Sequence, residues 1–155
     1  MKALNYQKIL AYHQLGINAG VSYELGAKPA FDAEPSAIRS SDCSGWSRYL
    51  IYHGSNHALA LPEGSWQQHE WCEDQGLQKV NYVAVGAISS RLLACFIDPA
   101  TSPGGIGHVF LSHGGQTIEC YGGHGAGRRA WNASIESGRT TLADACSACF
   151  VLPII

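Results

Sequence analysis

The sequence predicts an α+β domain, with N-terminal helices packed on a small antiparallel β-sheet. Three observations carry this. Helical periodicity dominates the first half, short β-rich runs separated by Gly and Pro follow, and 155 residues with 46% hydrophobic content suit one domain with one core. A single unit spanning residues 1–155 is therefore expected, without repeat, low-complexity stretch or linker.

The first helix is predicted over Leu4–Leu15, with Tyr6, Ile9, Leu10 and His13 on one face and Gly16 as its stop. The stretch GVSYELGAKPAFDAEPSAIRSS reads as loop. A second helix starts at Ser41 or Asp42, both good N-cap residues, and continues through Trp46, Tyr49, Leu50 and His53 to Gly54. Ser65-Trp66-Gln67-Gln68 matches a capping box, which opens a third helix ending before Gly76. The runs VNYVAVGA, RLLACFI, GHVFLS, QTIECY and ACFVLPII then read as strands.

Composition narrows the functional classes. Twelve acidic against ten basic side chains, with no Lys or Arg run, leave no footprint for nucleic acid or an anionic surface. No segment approaches the ~18 apolar residues of a membrane span, so no membrane insertion is expected. MKALNYQKILAYHQLG lacks an apolar core and a cleavage site, so synthesis in the cytoplasm without a signal peptide is expected.

In such a compartment the six cysteines are expected to be free thiols. Cys146 and Cys149 form a single C-x-x-C with no second pair, so neither a metal site nor a cofactor is expected; Cys72, Cys95, Cys120, Cys146 and Cys149 read as small buried hydrophobes. Cys43 differs, because it falls in the first turn of the second helix, where unsatisfied N–H groups and about half a positive charge stabilise an anion. There a thiol pKa can drop from about 8.5 into the range of roughly 3.5 to 7.5 when an imidazolium is near. Ser44 and Gly45 leave room for a carbonyl to approach.

Among seven histidines, His13, His53 and His69 lie in predicted helices and read as partly exposed or packed surface groups, and His57 lies in a loop. His108 follows PGGIG and opens the strand HVFLS, which makes it the candidate base for Cys43. If Gly114-Gly115 form a two-residue turn, His108 faces Tyr121 and Phe110 faces Glu119. His108 and Glu119 then share a face, Cys120 takes the other, and Glu119 can orient the imidazole. GHGAGRRAW, with Arg128 and Arg129, reads as a glycine-rich turn with solvated charges or as a carboxylate-binding loop for an acidic peptide substrate.

D-C-S-G at 42–45, G-H-V at 107–109 and T-I-E-C-Y-G-G at 117–123 together resemble the NlpC-type cysteine peptidases, papain-like bacterial cell-wall hydrolases. The resemblance implies a papain-like core, with Cys43 as nucleophile, His108 as base and Glu119 at the third polar position. It implies a peptidoglycan stem peptide as substrate, cleaved between D-glutamate and a diamino acid. Tyr23, Asp42 and Ser44 are its implied substrate-binding residues. The glycine pair that follows the family's tyrosine, and its G-D-L before the strand leading to histidine, are absent here. A wall hydrolase made without a signal peptide would act once released by a phage or injected. Thiol chemistry on another acyl substrate, as an amidase or acyltransferase, and a non-catalytic peptide-binding module remain alternative readings.

Overall fold

The computed structural model describes residues 1–136 and 138–155. Helix α1, Tyr6–Ala19, begins at Asn5, whose side chain accepts from the Lys8 N–H at 3.0 Å. It does not stop at Gly16. A Cβ there would lie 2.5 Å from the Trp46 indole, so Gly16 is a packing position inside the helix, and the left-handed Gly20 ends it. Within the stretch expected to be loop, β1 (Ser22–Tyr23) pairs in parallel with β2 (Ser40–Ser41), setting Tyr23 beside Ser41.

Helix α2, Cys43–Gly54, is capped by Asp42, whose carboxylate accepts from the Gly45 N–H at 2.7 Å. Helix α3, Ser65–Asp74, has no capping box: Gly64 is its N-cap and no side chain caps it. Gln68 turns inward instead. Its amide donates to the Ser44 carbonyl at 2.9 Å and accepts from the Ser47 hydroxyl at 2.7 Å, which fastens α3 to α2.

The run VNYVAVGA, expected as a strand, forms the short helix α4 (Tyr82–Val85). Asn81 captures the Val83 N–H at 3.0 Å, and Tyr82 is buried with its hydroxyl 2.9 Å from Ser112. Local capping and one anchored aromatic outweigh the β-propensity of valine and tyrosine here.

Strands β3 (Leu92–Ile97), β4 (His108–His113), β5 (Gln116–Tyr121), β6 (Gly125–Gly127) and β9 (Ala148–Leu152) form an antiparallel sheet in the order β6-β5-β4-β3-β9. Leu111 pairs with Ile118 and His113 with Gln116, the register a two-residue Gly114-Gly115 turn requires. Strand β6 falls in the segment expected as a glycine-rich turn and pairs Gly127 with Glu119. A small hairpin of β7 (Ser134–Ile135) and β8 (Thr140–Thr141) leads into α5 (Leu142–Ala145).

The sheet is covered on both faces. Leu92, Ala94, Phe96, Val109, Leu111 and Ile118 pack toward the core that holds Trp46, Tyr49 and Leu50 of α2. Leu93, Cys95, Ile97 and Phe110 pack toward Tyr82, Leu142 and Ala143. Every residue of β3 is buried, which is why LLACFI is continuously apolar rather than alternating. The main helices occupy one face as expected, and α4 and α5 add a thinner second layer. Among the described residues, no helix is long and apolar enough to cross a membrane.

Candidate active site

The site forms where α2 begins and β4 begins. Cys43 is the first residue of α2 and His108 the first of β4. Cys43 is 6% exposed. Gly45 is needed for the helix start to sit this close to the preceding loop, since a Cβ there would lie 2.8 Å from the Ala27 carbonyl oxygen.

His108 Nε2 lies 2.7 Å from Glu119 Oε1, which leaves Nδ1 for the thiol. The hairpin register accounts for this meeting, because His108 and Glu119 point to the same side of adjacent strands. Phe110 flanks the imidazole, with ring centroids 5.7 Å apart. Cys120 faces the opposite way, its sulfur 3.3 Å from the Ser41 carbonyl.

Arg129, a residue outside the sequence-derived triad, completes the arrangement. Its Nε donates to Glu119 Oε2 at 2.9 Å and its Nη2 to Oε1 at 2.7 Å, a bidentate pairing with a carboxylate whose side chain is wholly buried. The guanidinium also lies over the Tyr121 ring, 3.9 Å from its centroid. The chain continues past β6 alongside β5, where the Thr117 N–H donates to the Arg129 carbonyl at 2.8 Å, and this sets Arg129 by Glu119.

The electrostatics follow from these contacts. Burial pushes the Cys43 thiol up, but a hydrogen bond and charge from His108, joined by the Val109 N–H, hold its pKa below the ordinary value. Burial pulls His108 down, and the bonds to Cys43 and Glu119 more than reverse this, raising its pKa to about 9. Burial likewise raises Glu119, yet His108 and Arg129 hold its pKa at about 2. The set therefore favours thiolate, imidazolium, carboxylate and guanidinium in series.

Tyr23 stands beside this pair. Burial first, then the negative charge near Cys43 and Asp42, raises its pKa to about 12, so the phenol keeps its proton and remains a donor. Asp42 and Ser44 have their hydrogen-bonding capacity engaged within the protein. Asp42 accepts from the Gly45 N–H, from the Gly26 N–H at 3.1 Å and from Lys28, while Ser44 accepts from Lys28 at 3.0 Å. Both nevertheless line the hollow on the Cys43 side.

Two hollows flank the Cys43–His108 pair. One of about 250 Å³ is lined by Leu25, Gly26, Lys28, Cys43 and Ile106. The other, of about 190 Å³, is lined by Ile97, His108, Tyr121, Arg129 and Leu142. Together they give an extended substrate a place on each side of the sulfur. Among the described residues, no group of three or more His, Cys, Asp or Glu side chains stands where it could hold a metal ion.

The other predicted histidines lie elsewhere. His13, expected at the surface, is 1% exposed. Its Nδ1 accepts from the Trp46 indole N–H at 2.9 Å and its Nε2 donates to the Gly127 carbonyl at 2.9 Å, so it joins α1, α2 and β6. Burial lowers its pKa to about 4, which keeps it neutral.

No family model matches the sequence, and no curated protein matches it. The P60 domain of an antigen from M. avium subspecies paratuberculosis, a solved structure, does match, with a TM-score of 0.55 over 96% of this chain and 96% of that one. The fold is that of a P60 domain. At 20% identity the likeness extends to the fold. In this chain the start of α2 meets the antiparallel sheet, and that junction is occupied by Cys43, His108, Glu119 and Arg129.

Proposed function

We propose that this protein is a thiol-dependent cell-wall peptidase that hydrolyses an amide bond in the peptidoglycan stem peptide, between D-glutamate and a diamino acid. The observation that carries the reading is a buried thiol at a helix N-terminus facing a histidine whose far nitrogen is held by a carboxylate, in a P60 fold. The NlpC-type motifs that run through the same residues support the choice of substrate.

In this mechanism the Cys43 thiolate attacks the scissile carbonyl carbon. The oxyanion accepts hydrogen bonds at the start of α2 and from the Tyr23 phenol, which lies near the sulfur and stays protonated. His108, protonated at Nδ1, gives its proton to the leaving amine as the C–N bond breaks, and a thioester remains. The amine side of the substrate then occupies the hollow beside His108 and the acyl side the hollow beside Cys43. Water, losing a proton to His108, attacks the thioester, releases the carboxylic acid and restores the thiolate. Glu119 keeps the imidazole in register through both steps, and Arg129 keeps Glu119 ionised and in place. Arg129 is thus a positioning residue.

Digestion of purified peptidoglycans of two stem chemistries by the wild-type and Cys43→Ala proteins, with mass spectrometry of the soluble fragments, tests the reading. Fragments that depend on Cys43 and end at a D-glutamyl carboxyl group are expected. Absence of fragments from both walls, with Cys43 still alkylated rapidly at low pH, would overturn the wall substrate and direct the same thiol to another acyl compound.

A further inference from the structure

A second group of sulfur atoms lies on the far face of the sheet, away from Cys43. Cys95 of β3 and Cys149 of β9 are directly opposed across the antiparallel pair, with their sulfurs 3.5 Å apart. Directly opposed residues in such a pair have Cα atoms ~4.5 to 5.5 Å apart. That falls inside the window of ~4.4 to 6.8 Å in which a disulfide can close. Cys146, just after α5, is half-buried, with its sulfur 3.3 Å from the Ala148 carbonyl and near enough to Cys95 for the two thiols to influence each other's protonation. It lines two surface hollows of about 270 and 400 Å³, so a small molecule can reach its sulfur. Cys149 lines the first of these hollows together with Cys146, so the opposed pair is approached from the same side.

We infer that Cys146, Cys95 and Cys149 are a thiol–disulfide exchange site that takes a low-molecular-weight disulfide and ends as a Cys95–Cys149 cross-strand bond. The Cys146 thiolate attacks one sulfur of the small disulfide, forming a mixed disulfide and releasing one small thiolate. Cys95 gives up its proton and attacks the Cys146 sulfur, expelling the second small thiolate, which takes that proton. Cys149 then attacks the Cys95 sulfur and returns Cys146 to a free thiol. Two protein thiols are oxidised to one disulfide and the small disulfide is reduced to two thiols, so atoms and electrons balance. Proximity to Cys95, with the Phe96 and Ala148 backbone, lowers the Cys146 pKa, which favours it as the first attacker, while burial holds Cys95 well above the ordinary value.

Oxidised glutathione is the probe, applied to the Cys43→Ala variant of this 155-residue chain so that the active-site thiol does not compete. Intact mass and disulfide mapping by peptide mass spectrometry are the readouts. The expected result is loss of two hydrogens and a linked Cys95–Cys149 pair. In Cys149→Ala the bond stops at Cys95–Cys146. Cys146→Ser, a change at a half-exposed site that leaves the core intact, slows oxidation at least ~10-fold. Oxidation of Cys146→Ser at the parent rate, disulfides reaching Cys72 or Cys120, or three thiols that stay reduced under the probe would each overturn the inference.

Discussion

Replacing Glu119 by Gln tests whether the buried carboxylate sets the charge state of the thiol. The amide keeps an oxygen that can accept from His108 Nε2 but removes the negative charge 2.7 Å away, and it leaves the Arg129 guanidinium facing two neutral atoms. His108 sits at about 9 against an ordinary 6.5. That rise favours the imidazolium by about 3 kcal/mol, at roughly 1.4 kcal/mol per pKa unit. Cys43 and Glu119 both contribute to it, and removing the carboxylate is expected to withdraw at least about 1.4 kcal/mol, with Arg129 repelling the imidazolium further. With the imidazolium weakened, the Cys43 thiol rises toward its ordinary value, and the thiolate fraction at pH 6 drops by up to ~10-fold for each pKa unit of rise. The rate of Cys43 alkylation by iodoacetamide between pH 5 and 9 measures this directly. Leaving a buried cation unpaired also costs about 3–5 kcal/mol of stability, read from urea unfolding. The double variant Glu119→Gln/Arg129→Met separates the two effects: it regains stability but not low-pH reactivity. Equal alkylation rates at pH 6 in the wild-type and Glu119→Gln proteins would refute the reasoning.

Cys43→Ala is expected to abolish turnover while circular dichroism and urea unfolding show an intact fold, because the thiol contributes little apolar area. Tyr23→Phe should lower kcat on the order of 10²-fold, as for loss of one oxyanion donor, with Cys43 alkylation unchanged; unchanged kcat would remove Tyr23 from that role. Gly16→Ala should destabilise by about 1–3 kcal/mol in urea, since its methyl collides with the Trp46 ring. His13 sets an acid limb. Its folded pKa of about 4 lies below the ordinary 6.5, so the unfolded chain takes up the proton first and stability declines as pH falls from about 6.5 to 4. His13→Gln, which can still accept from Trp46 and donate to Gly127, should flatten that limb. His108 works in the other direction: its contribution is full below pH 6.5 and is lost as pH rises through about 9.

The helix-then-strand order and the β4–β5 register were legible because each rests on local rules: apolar periodicity, an N-cap at Asp42 and a Gly-Gly turn. That register is what put His108 and Glu119 on one face, where the structure has them 2.7 Å apart. Arg129 read only as part of a turn or of a loop for a substrate carboxylate, whereas the carboxylate it binds is the protein's own Glu119. The strand just before Arg129, Gly125–Gly127, carries no strand-forming side chains and exists because Gly125 fits with positive φ against the Val21 carbonyl. The Gly16 and Ser65 readings went astray for a common reason. A glycine under Trp46 and a glutamine bonded to Ser44 serve distant partners, while the same residues at those spacings ordinarily signal a helix end or start. Tyr82 likewise belongs to a helix because of what it packs against across the chain.

The carboxylate of Asp42 reaches in two directions, to the first turn of the nucleophile's helix and to Gly26 and Lys28 in the segment that walls one hollow. Substrate range in such a protein would ordinarily be altered by exchanging a wall segment while leaving the chemistry alone. Here that freedom is restricted. A graft across residues 25–28 that drops Lys28 would leave a buried charge next to Cys43 and unsettle the thiol it was meant to spare. Variants with new specificity should therefore arise more readily on the His108 side, where Ile97, Leu142 and Tyr121 can change size without touching that carboxylate.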